Sequence, residues 1–173
     1  MCGIFGFTSK NIKNGKSILD KMSFSISYRG PDNYGSEIVN DYIYLGHNRL
    51  SIIDLTEHAN QPFKMDGFDY TMVYNGEVYN YIEIKDELIN LGYKFDSTSD
   101  TEVVYYSLVE WGTDAVNKFN GMFAIAFVDN SSGKITLIRE RIGIKPLYYT
   151  VVDRQLVFAS EIISILQFPL NNL

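Results

Sequence analysis

The chain has 173 residues and a mass of 19.8 kDa, the size of one domain with one hydrophobic core. Hydrophobic residues make up 46% and charged residues 21%, which excludes a disordered, collagenous or coiled-coil chain. The net charge is -6 and no window is rich in lysine or arginine, which argues against a nucleic-acid partner.

The first predicted elements are a strand over Cys2–Phe7 and a helix over Ser17–Ile26, where apolar residues recur every fourth position. No basic stretch leads into a long apolar one at the start, and no run of about 18 apolar residues occurs, so we expect a cytoplasmic chain with no membrane partner. Three further strands are predicted, over Tyr42–Leu45, Leu50–Ile53 and Tyr70–Tyr74.

Two amphipathic helices are predicted next. The first begins at Asn80, three residues before Glu83, and ends at Gly92, while the second begins with the capping-box pattern Ser99–Glu102 and ends at Gly112. Four strands follow, over Met122–Val128, Ile135–Arg139, Leu147–Val152 and Leu156–Ala159. Because short turns join them, neighbours should pair antiparallel.

The fold class predicted from these elements is α+β. Near-continuous apolar strands, such as residues 123–128, indicate sheets that are covered on both faces. Two central sheets between layers of helices would meet that requirement. The pattern therefore predicts a layered α+β sandwich.

The single cysteine, Cys2, is the most informative candidate for chemistry. One cysteine cannot form an internal disulfide, and with His47 and His58 it makes a poor set of zinc ligands. The alternative role for Cys2 is that of a small core residue. If Met1 is removed, however, the thiol and a free α-amine belong to one residue, and the amine can take the proton of the attacking thiol. No catalytic role is then needed for either histidine.

Several ordered segments resemble one family. The start Met1–Gly6 resembles that of class II glutamine amidotransferases, which use an N-terminal nucleophile. Later segments match the asparagine-synthetase branch of that family; they are Tyr28–Asp32, Arg49–Asp54, Tyr74–Asn80, Ser99–Glu102 and Gly143–Tyr149. The resemblance implies a four-layer αββα sandwich with two mainly antiparallel sheets, and one glutaminase domain over residues 1–173. It also implies hydrolysis of L-glutamine to L-glutamate and ammonia through a γ-glutamyl thioester on Cys2.

The same resemblance assigns roles to individual residues. The catalytic set is Cys2 with an oxyanion hole formed by the Asn75 side chain and the Gly76 backbone N–H. Glutamine is a zwitterion, so its pocket needs a fixed cation and a fixed anion, and Arg49 and Asp100 match these roles. The implied substrate-binding residues are Arg49, Leu50, Ile52, Ile53, Asn75, Gly76, Glu77 and Asp100. Arg29 is implied to support the N-terminal cysteine.

Each of these residues has a plainer alternative role. Asn75-Gly76 is also a typical hairpin-turn pair, and Arg49 would ordinarily be a solvated charge at a strand end. Asp100 is also suited to capping a helix, and Arg29 to lying on the surface beside the turn at Gly30-Pro31.

The expected ligands and partners follow from the resemblance. We expect no cofactor and no metal for this domain, because ATP and Mg are expected only in a separate synthetase domain, whose Ser-Gly-Gly-x-Asp-Ser loop this chain lacks. The expected partners are L-glutamine and an ammonia-accepting synthetase domain or subunit, and a homodimer is left open. The alternative function is a non-catalytic glutamine-binding or interaction module that gates a synthetase partner. The sequences Arg-Gly-Pro-Asp at 29–32 and Asn-Gly-Glu-Val-Tyr-Asn at 75–80 disfavour a class II transferase that makes amino sugars or purine precursors.

Overall fold

A computed structural model describes residues 1–10, 12–50 and 60–169 of the chain. In these ranges eight strands are present: β1 Gly3–Thr8, β2 Asn33–Val39, β3 Ile43–Arg49, β4 Tyr70–Val78, β5 Gly121–Asp129, β6 Lys134–Arg139, β7 Tyr148–Val152 and β8 Gln155–Ala159. The helices there are α1 Gly15–Ser25, α2 Tyr81–Asn90, α3 Asp100–Trp111 and α4 Ile162–Ile165, with 3-10 turns at Ser27–Arg29 and Gly112–Asn117.

The strands form two antiparallel sheets. The five-stranded sheet has the order β2-β3-β1-β8-β7 and the three-stranded sheet the order β4-β5-β6. Every named strand pair is antiparallel, including β5 with β6 and β7 with β8, which short turns join. The predicted antiparallel pairing is therefore confirmed for these two pairs. It is wrong for β6 and β7, which lie in different sheets.

The alternation of side chains along β1 divides the apolar residues between two cores. Phe5 and Phe7 pack with α1 and α4 on the outer face of the five-stranded sheet. Ile4 faces the other way and packs with Val73 and Ala124 of the three-stranded sheet. A third cluster joins α2 and α3 to the far face of that smaller sheet. The layers are therefore helix, sheet, sheet and helix, which confirms the predicted αββα sandwich.

Several element boundaries differ from the prediction. Strand β2 was not predicted, because its apolar residues are few and only one of its seven positions is buried. Strand β3 continues to Arg49, and Leu50 follows it, so a strand beginning at Leu50 is wrong. The rest of that predicted strand, residues 51–53, lies outside the described residues. Helix α4 is a single turn, too short to leave a periodic pattern.

The predicted helix starts are at the right places, but their capping differs. Ser99 caps α3 by accepting a hydrogen bond from the Thr101 N–H at 3.2 Å. The Glu102 carboxylate accepts bonds from the N–H groups of Asp96 and Ser97, not from that of Ser99. At α2 the Asn80 side chain makes no capping bond; it contacts the backbone of Lys118 and Asn120 instead. Within the described residues no helix is both long and apolar enough to cross a membrane.

The core between the two sheets should dominate stability, and two phenylalanines test this. Phe158 is fully buried in that core, whereas Phe24 on α1 is 82% exposed. We expect Phe158→Ala to lower the free energy of unfolding by about 3–5 kcal/mol, because the substitution leaves a cavity. Phe24→Ala, the matched control, should change it by less than about 0.5 kcal/mol. Urea denaturation of both variants measures the difference, and equal effects would contradict the assignment of the core.

Candidate active site

Cys2 lies at the start of β1, beside the end of β3. The register pairs Gly3 with Asn48, so the chain before β1 runs alongside Arg49 and Leu50. The Leu50 N–H points at Cys2 Sγ at 3.4 Å, and Sγ lies 3.7 Å from the Leu50 carbonyl oxygen. The thiol is thus held against the backbone, and it is partly buried. Met1 is 55% exposed.

The Asn75 side chain faces the space between the two sheets. Val73, two residues earlier on β4, packs in the core between the sheets, as does Ala124, which is paired with Asn75. Alternation along a strand places Asn75 on the same face. Its side chain is buried, and its Nδ2 has no hydrogen-bond partner among the described residues. The hairpin-turn alternative for Asn75-Gly76 is wrong, because both residues lie inside β4.

The backbone N–H of Gly76 lies on the free edge of β4. This strand is the edge strand of its sheet, and alternate residues turn their backbone groups away from β5. The backbone N–H and C=O groups of Met72 bond to the backbone of Phe63, and those of Tyr74 bond to the side chain of Gln61. The Val78 N–H donates to Asp100 Oδ2. By the same alternation the Gly76 N–H points outward, and the described residues supply it with no partner.

Gly76 cannot be replaced by a larger residue without a clash. A Cβ at this position would lie 2.5 Å from the Met122 carbonyl oxygen and 2.6 Å from Tyr74 Cε2. A glycine is therefore required here by the close approach of β5 and of the Tyr74 ring. Asn75 Nδ2 and the Gly76 N–H together provide two donors that no described residue uses, at adjacent positions of one strand, and an oxyanion hole requires such donors.

Two carboxylates, Asp100 and Glu77, form a negatively charged corner at the same edge. Asp100 is buried at the first turn of α3 and accepts bonds from the Tyr74 hydroxyl at 2.8 Å and the Val78 N–H at 3.0 Å. Burial raises the pKa of Asp100 and Glu77 raises it further, against these two hydrogen bonds. Tyr74 has its pKa raised well above the ordinary value by burial and by Asp100. A cation placed here would relieve the repulsion between the two carboxylates.

Arg49 is a buried cation at the end of β3. Its Nη1 donates to Asn60 Oδ1 at 2.7 Å, and the residue is 7% exposed. The alternative of a solvated charge at a strand end is therefore wrong. Arg49 lies on the strand that also leads to Leu50, so a fixed cation lies one residue from the backbone that contacts Cys2 Sγ.

Arg29 is also buried, and it contacts Cys2 directly. It ends the 3-10 turn after α1, and its Nε donates to the Cys2 carbonyl oxygen at 3.0 Å. Its Nη1 forms an ion pair with Glu161 Oε1 at 2.7 Å, and Nη2 is buried without a partner among the described residues. The surface-charge alternative for Arg29 is therefore wrong.

The structure thus brings most of the predicted site residues together. Cys2, Arg29, Arg49 and Leu50 lie at the end of the five-stranded sheet, and Asn75, Gly76, Glu77 and Asp100 lie along or beside the facing edge of β4. Ile52 and Ile53, and also His58, lie outside the described residues. Their predicted roles, like the catalytic and binding roles of the others, stay predictions.

Three residues at this site were not singled out from the sequence. Gln61 holds both backbone groups of Tyr74, at 2.6 and 3.1 Å, and so fixes β4 next to Asn75. Asn60 supports Arg49, and Glu161 supports Arg29. Only Glu161 had a sequence signal, since it lies two residues after the end of the predicted strand Leu156–Ala159. The two amide side chains fall in no periodic element and no distinctive motif.

His47 is buried between the sheets, two residues before Arg49. It is paired with Ile4 in the register of β1 and β3 and is 1% exposed. Burial lowers the pKa of His47 to about 3, more than the Tyr74 backbone carbonyl raises it. Its imidazole is therefore neutral at pH 7, and it lies between the two sheets.

Comparison with known proteins gives the family and the fold of this chain. The αββα sandwich with a cysteine at the start of a central strand defines an N-terminal-nucleophile hydrolase type of fold. Residues 1–172 match the family described as "Glutamine amidotransferase domain". The chain belongs to this family. Asparagine synthetase (glutamine-hydrolyzing) 3 of Bacillus subtilis (strain 168) is 38% identical to it over 98% of this chain and 28% of that protein.

Two further comparisons give the same family and fold. Asparagine synthetase (glutamine-hydrolyzing) 2 of the same bacterium is 39% identical over 98% of this chain and 23% of its own length. The chain thus spans about a quarter of the length of these curated relatives. A solved structure of glutamine phosphoribosylpyrophosphate amidotransferase from B. subtilis superposes with a TM-score of 0.79 at 18% identity, covering 94% of this chain and 42% of that one. This last likeness shows the shared fold.

The buried neutral His47 should make the domain sensitive to acid. Between pH 6.5 and about 3 the unfolded chain binds a proton at this residue and the folded chain does not, so stability falls as pH falls. We expect this residue to add up to about 1.4 kcal/mol per pH unit to that loss. The measurement is the free energy of unfolding of wild type and His47→Gln at pH 7 and pH 5. The variant should lose less stability on acidification; an equal loss would contradict the assignment.

Proposed function

We propose that this domain hydrolyses the side-chain amide of L-glutamine to L-glutamate and ammonia, with Cys2 as the nucleophile. The observation that carries the proposal is the placement on β4 of two donors that no described residue uses, Asn75 Nδ2 and the Gly76 N–H, in the sheet that packs against the one preceded by Cys2. An acyl-transfer reaction needs a nucleophile and an oxyanion hole, and both are built from rigid strands here.

The reaction is a two-step acyl transfer after removal of Met1. The α-amine of Cys2 takes the thiol proton as Sγ bonds to the amide carbon of glutamine. The oxyanion that forms accepts hydrogen bonds from Asn75 and Gly76. The carbon–nitrogen bond then breaks, and the leaving nitrogen receives the proton and departs as ammonia. Water attacks the γ-glutamyl thioester, which releases glutamate and restores the thiol.

The charges around the site support glutamine as the substrate. Arg49 offers a buried guanidinium for the α-carboxylate, and the Asp100–Glu77 corner offers a negative charge for the α-ammonium. Binding of the ammonium would favour the ionised form of Asp100 and so offset the effect of burial on its pKa. Leu50, Ile52 and Ile53 are proposed to complete the pocket.

An ammonia acceptor is proposed as the partner of this domain. The relatives are named asparagine synthetases, and this chain matches only about a quarter of their length. We propose that a synthetase-like domain or subunit, which uses ATP and Mg, receives the ammonia. The glutaminase chemistry assigned to Cys2 uses the residue's own amine as base, so it calls for no cofactor in this domain.

Truncation of Asn75 should slow the reaction without unfolding the domain. We expect Asn75→Ala to lower kcat for glutamine hydrolysis about 10²- to 10³-fold, the usual effect of losing one oxyanion-hole donor. Because Asn75 Nδ2 bonds no described residue, loss of this amide N–H₂ group breaks no bond within that part of the protein. Asn90→Ala, at the exposed end of α2, is the matched control and should leave kcat unchanged. An unchanged kcat in Asn75→Ala would remove Asn75 from the mechanism.

Mass spectrometry can test whether Cys2 is the nucleophile. Intact-protein mass spectrometry after incubation with diazo-oxo-norleucine, a glutamine-like alkylating agent, should show a chain without Met1 that carries one adduct on Cys2. Cys2→Ala should take no adduct and should form no glutamate from glutamine. Excess L-glutamine should protect Cys2, whereas excess L-glutamate should protect it less.

Two outcomes would overturn the proposed activity. One is a Cys2→Ala protein that hydrolyses glutamine at the wild-type rate. The other is a wild-type chain that lacks Met1, binds glutamine in isothermal titration calorimetry and forms no glutamate. That second result would favour the binding module that gates a synthetase partner.

A further inference from the structure

Glu161 connects the end of β8 to the N-terminal cysteine through Arg29. Glu161 Oε1 accepts a bond from Arg29 Nη1 at 2.7 Å, and Arg29 Nε donates to the Cys2 carbonyl oxygen at 3.0 Å. The second carboxylate oxygen, Oε2, accepts a bond from the Tyr28 hydroxyl at 2.6 Å. These three bonds form a continuous chain from an exposed tyrosine to the nucleophile residue.

The segment that carries Glu161 is itself fixed to β1. The Ile4 N–H donates to Ser160 Oγ at 3.0 Å, and the Ser160 N–H donates to the Ile4 carbonyl oxygen at 2.8 Å. Ser160 is fully buried, and its partner Ile4 lies two residues along the chain from Cys2. The segment that carries Glu161 is therefore fixed to β1, the strand that begins directly after Cys2. Hydrogen bonds from Tyr28 and then from Arg29 lower the pKa of Glu161, so it is ionised at pH 7.

Holding the Cys2 carbonyl has a direct consequence for the α-amine. Gly3 fixes the chain on one side of Cys2, and the Leu50 N–H holds Sγ. With the carbonyl and the sulfur both held, rotation about the Cα–C bond is fixed, and so is the direction of the amine. Without the carbonyl contact, the amine and the thiol could turn together away from the oxyanion hole. Errors of about 1 Å in such placements cost about 10²-fold in rate.

We propose that Glu161 is a positioning residue for the reaction: it holds the Arg29 guanidinium against the Cys2 carbonyl and so fixes the direction of the nucleophile's amine. This inference rests on the proposed function. Glu161 should therefore affect thioester formation and not glutamine binding. Its contacts lead to Cys2 through Arg29, and they include none of the predicted glutamine ligands Arg49, Glu77 and Asp100.

The negative charge of Glu161 gives a second, independent test of the inference, which is the pH dependence of Cys2 reactivity. Its loss would leave the positive charge of Arg29 next to Cys2 without compensation, and Arg29 already has a buried Nη2 without a partner among the described residues. An uncompensated cation destabilises a nearby ammonium and stabilises a thiolate. The pH at which Cys2 becomes reactive should therefore move down in a neutral variant, even though its maximal rate is lower.

The experiment compares Glu161→Gln with wild type, both shown by intact mass to lack Met1. We measure kcat and KM for glutamine hydrolysis, and the rate of Cys2 alkylation by diazo-oxo-norleucine between about pH 6 and 9, where an α-amine titrates. Glu161→Gln should lower kcat and the maximal alkylation rate about tenfold, leave KM within about threefold, and shift the alkylation midpoint to lower pH. Glu161→Asp keeps the charge, so it should keep the wild-type midpoint and recover part of the rate.

Two control variants separate this effect from general loss of an ion pair. Glu87→Gln breaks the Lys118–Glu87 pair, which has a comparable length of 2.6 Å and lies on the surface of the other helix layer, and it should behave as wild type. Tyr28→Phe removes one bond to Glu161 and leaves the Arg29 pair intact, so its rates should stay within about twofold of wild type.

The outcomes decide between the inference and the proposed function. Wild-type kcat in Glu161→Gln, or a rise in KM alone, overturns the inference while an active wild type keeps the proposed function. If Glu161→Gln does not fold, the test uses Glu161→Asp instead. A folded Glu161→Asp protein with the kcat and the alkylation rate of wild type would then overturn the inference. A wild type that neither hydrolyses glutamine nor takes the adduct overturns the proposed function, and the inference falls with it.

Discussion

The free edge of β4 is the constraint on which the site depends. An edge strand exposes a row of backbone N–H and C=O groups, and a buried edge must supply each of them with a partner. In this protein the partners are a short backbone bridge at Phe63, the amide of Gln61 and the carboxylate of Asp100. They flank Gly76 on both sides. The N–H of Gly76 lies between these paired positions, and no residue in the described part of the chain bonds to it.

This arrangement explains why polar residues are concentrated between two apolar cores. Arg29, Arg49 and Asp100 are all buried, although burying a charge costs free energy unless partners compensate for it. Partners are present, but not in full: Arg29 Nη2 and Asn75 Nδ2 remain without one in the described part of the chain, and burial raises the pKa of Asp100. A protein selected for stability alone would favour apolar residues here. The incomplete satisfaction is what one expects where a zwitterionic substrate completes the network.

Much of this architecture could be predicted from the sequence, and the exceptions have physical causes. Strands β5, β6 and β8 and helices α2 and α3 have strong local patterns, and each was predicted within a few residues. Strand β2 is held in place by its register with β3, since its own residues are half exposed and mixed in polarity. The distinction between a hairpin turn and a strand interior at Asn75-Gly76 also depends on β5, which lies about 50 residues away. Local sequence contains no information on such pairings.

The roles of Gln61 and Glu161 illustrate the same limit at the level of single side chains. Gln61 contacts a strand 13 residues away and Arg29 contacts a carboxylate 132 residues away, so neither contact leaves a spacing that a sequence pattern could reveal. The resemblance of ordered motifs to a known family indicated Cys2, Arg49, Asn75 and Asp100, because these residues lie inside the motifs. Apart from Arg29, it gave no role to the residues that hold them in place.

An N-terminal nucleophile imposes a requirement that an internal one does not. An internal residue is held by the chain on both sides, whereas the first residue of a processed chain is held on one side only, and its amine must also be aimed. Tertiary contacts have to replace the missing half of the backbone. Here they come from Arg29 and Leu50, which lie 27 and 48 residues along the chain, and through Arg29 from Glu161 near the end of β8. The proposed nucleophile is therefore held by contacts from distant parts of the chain, and this ties its order to the integrity of the five-stranded sheet, to which β3 and β8 belong.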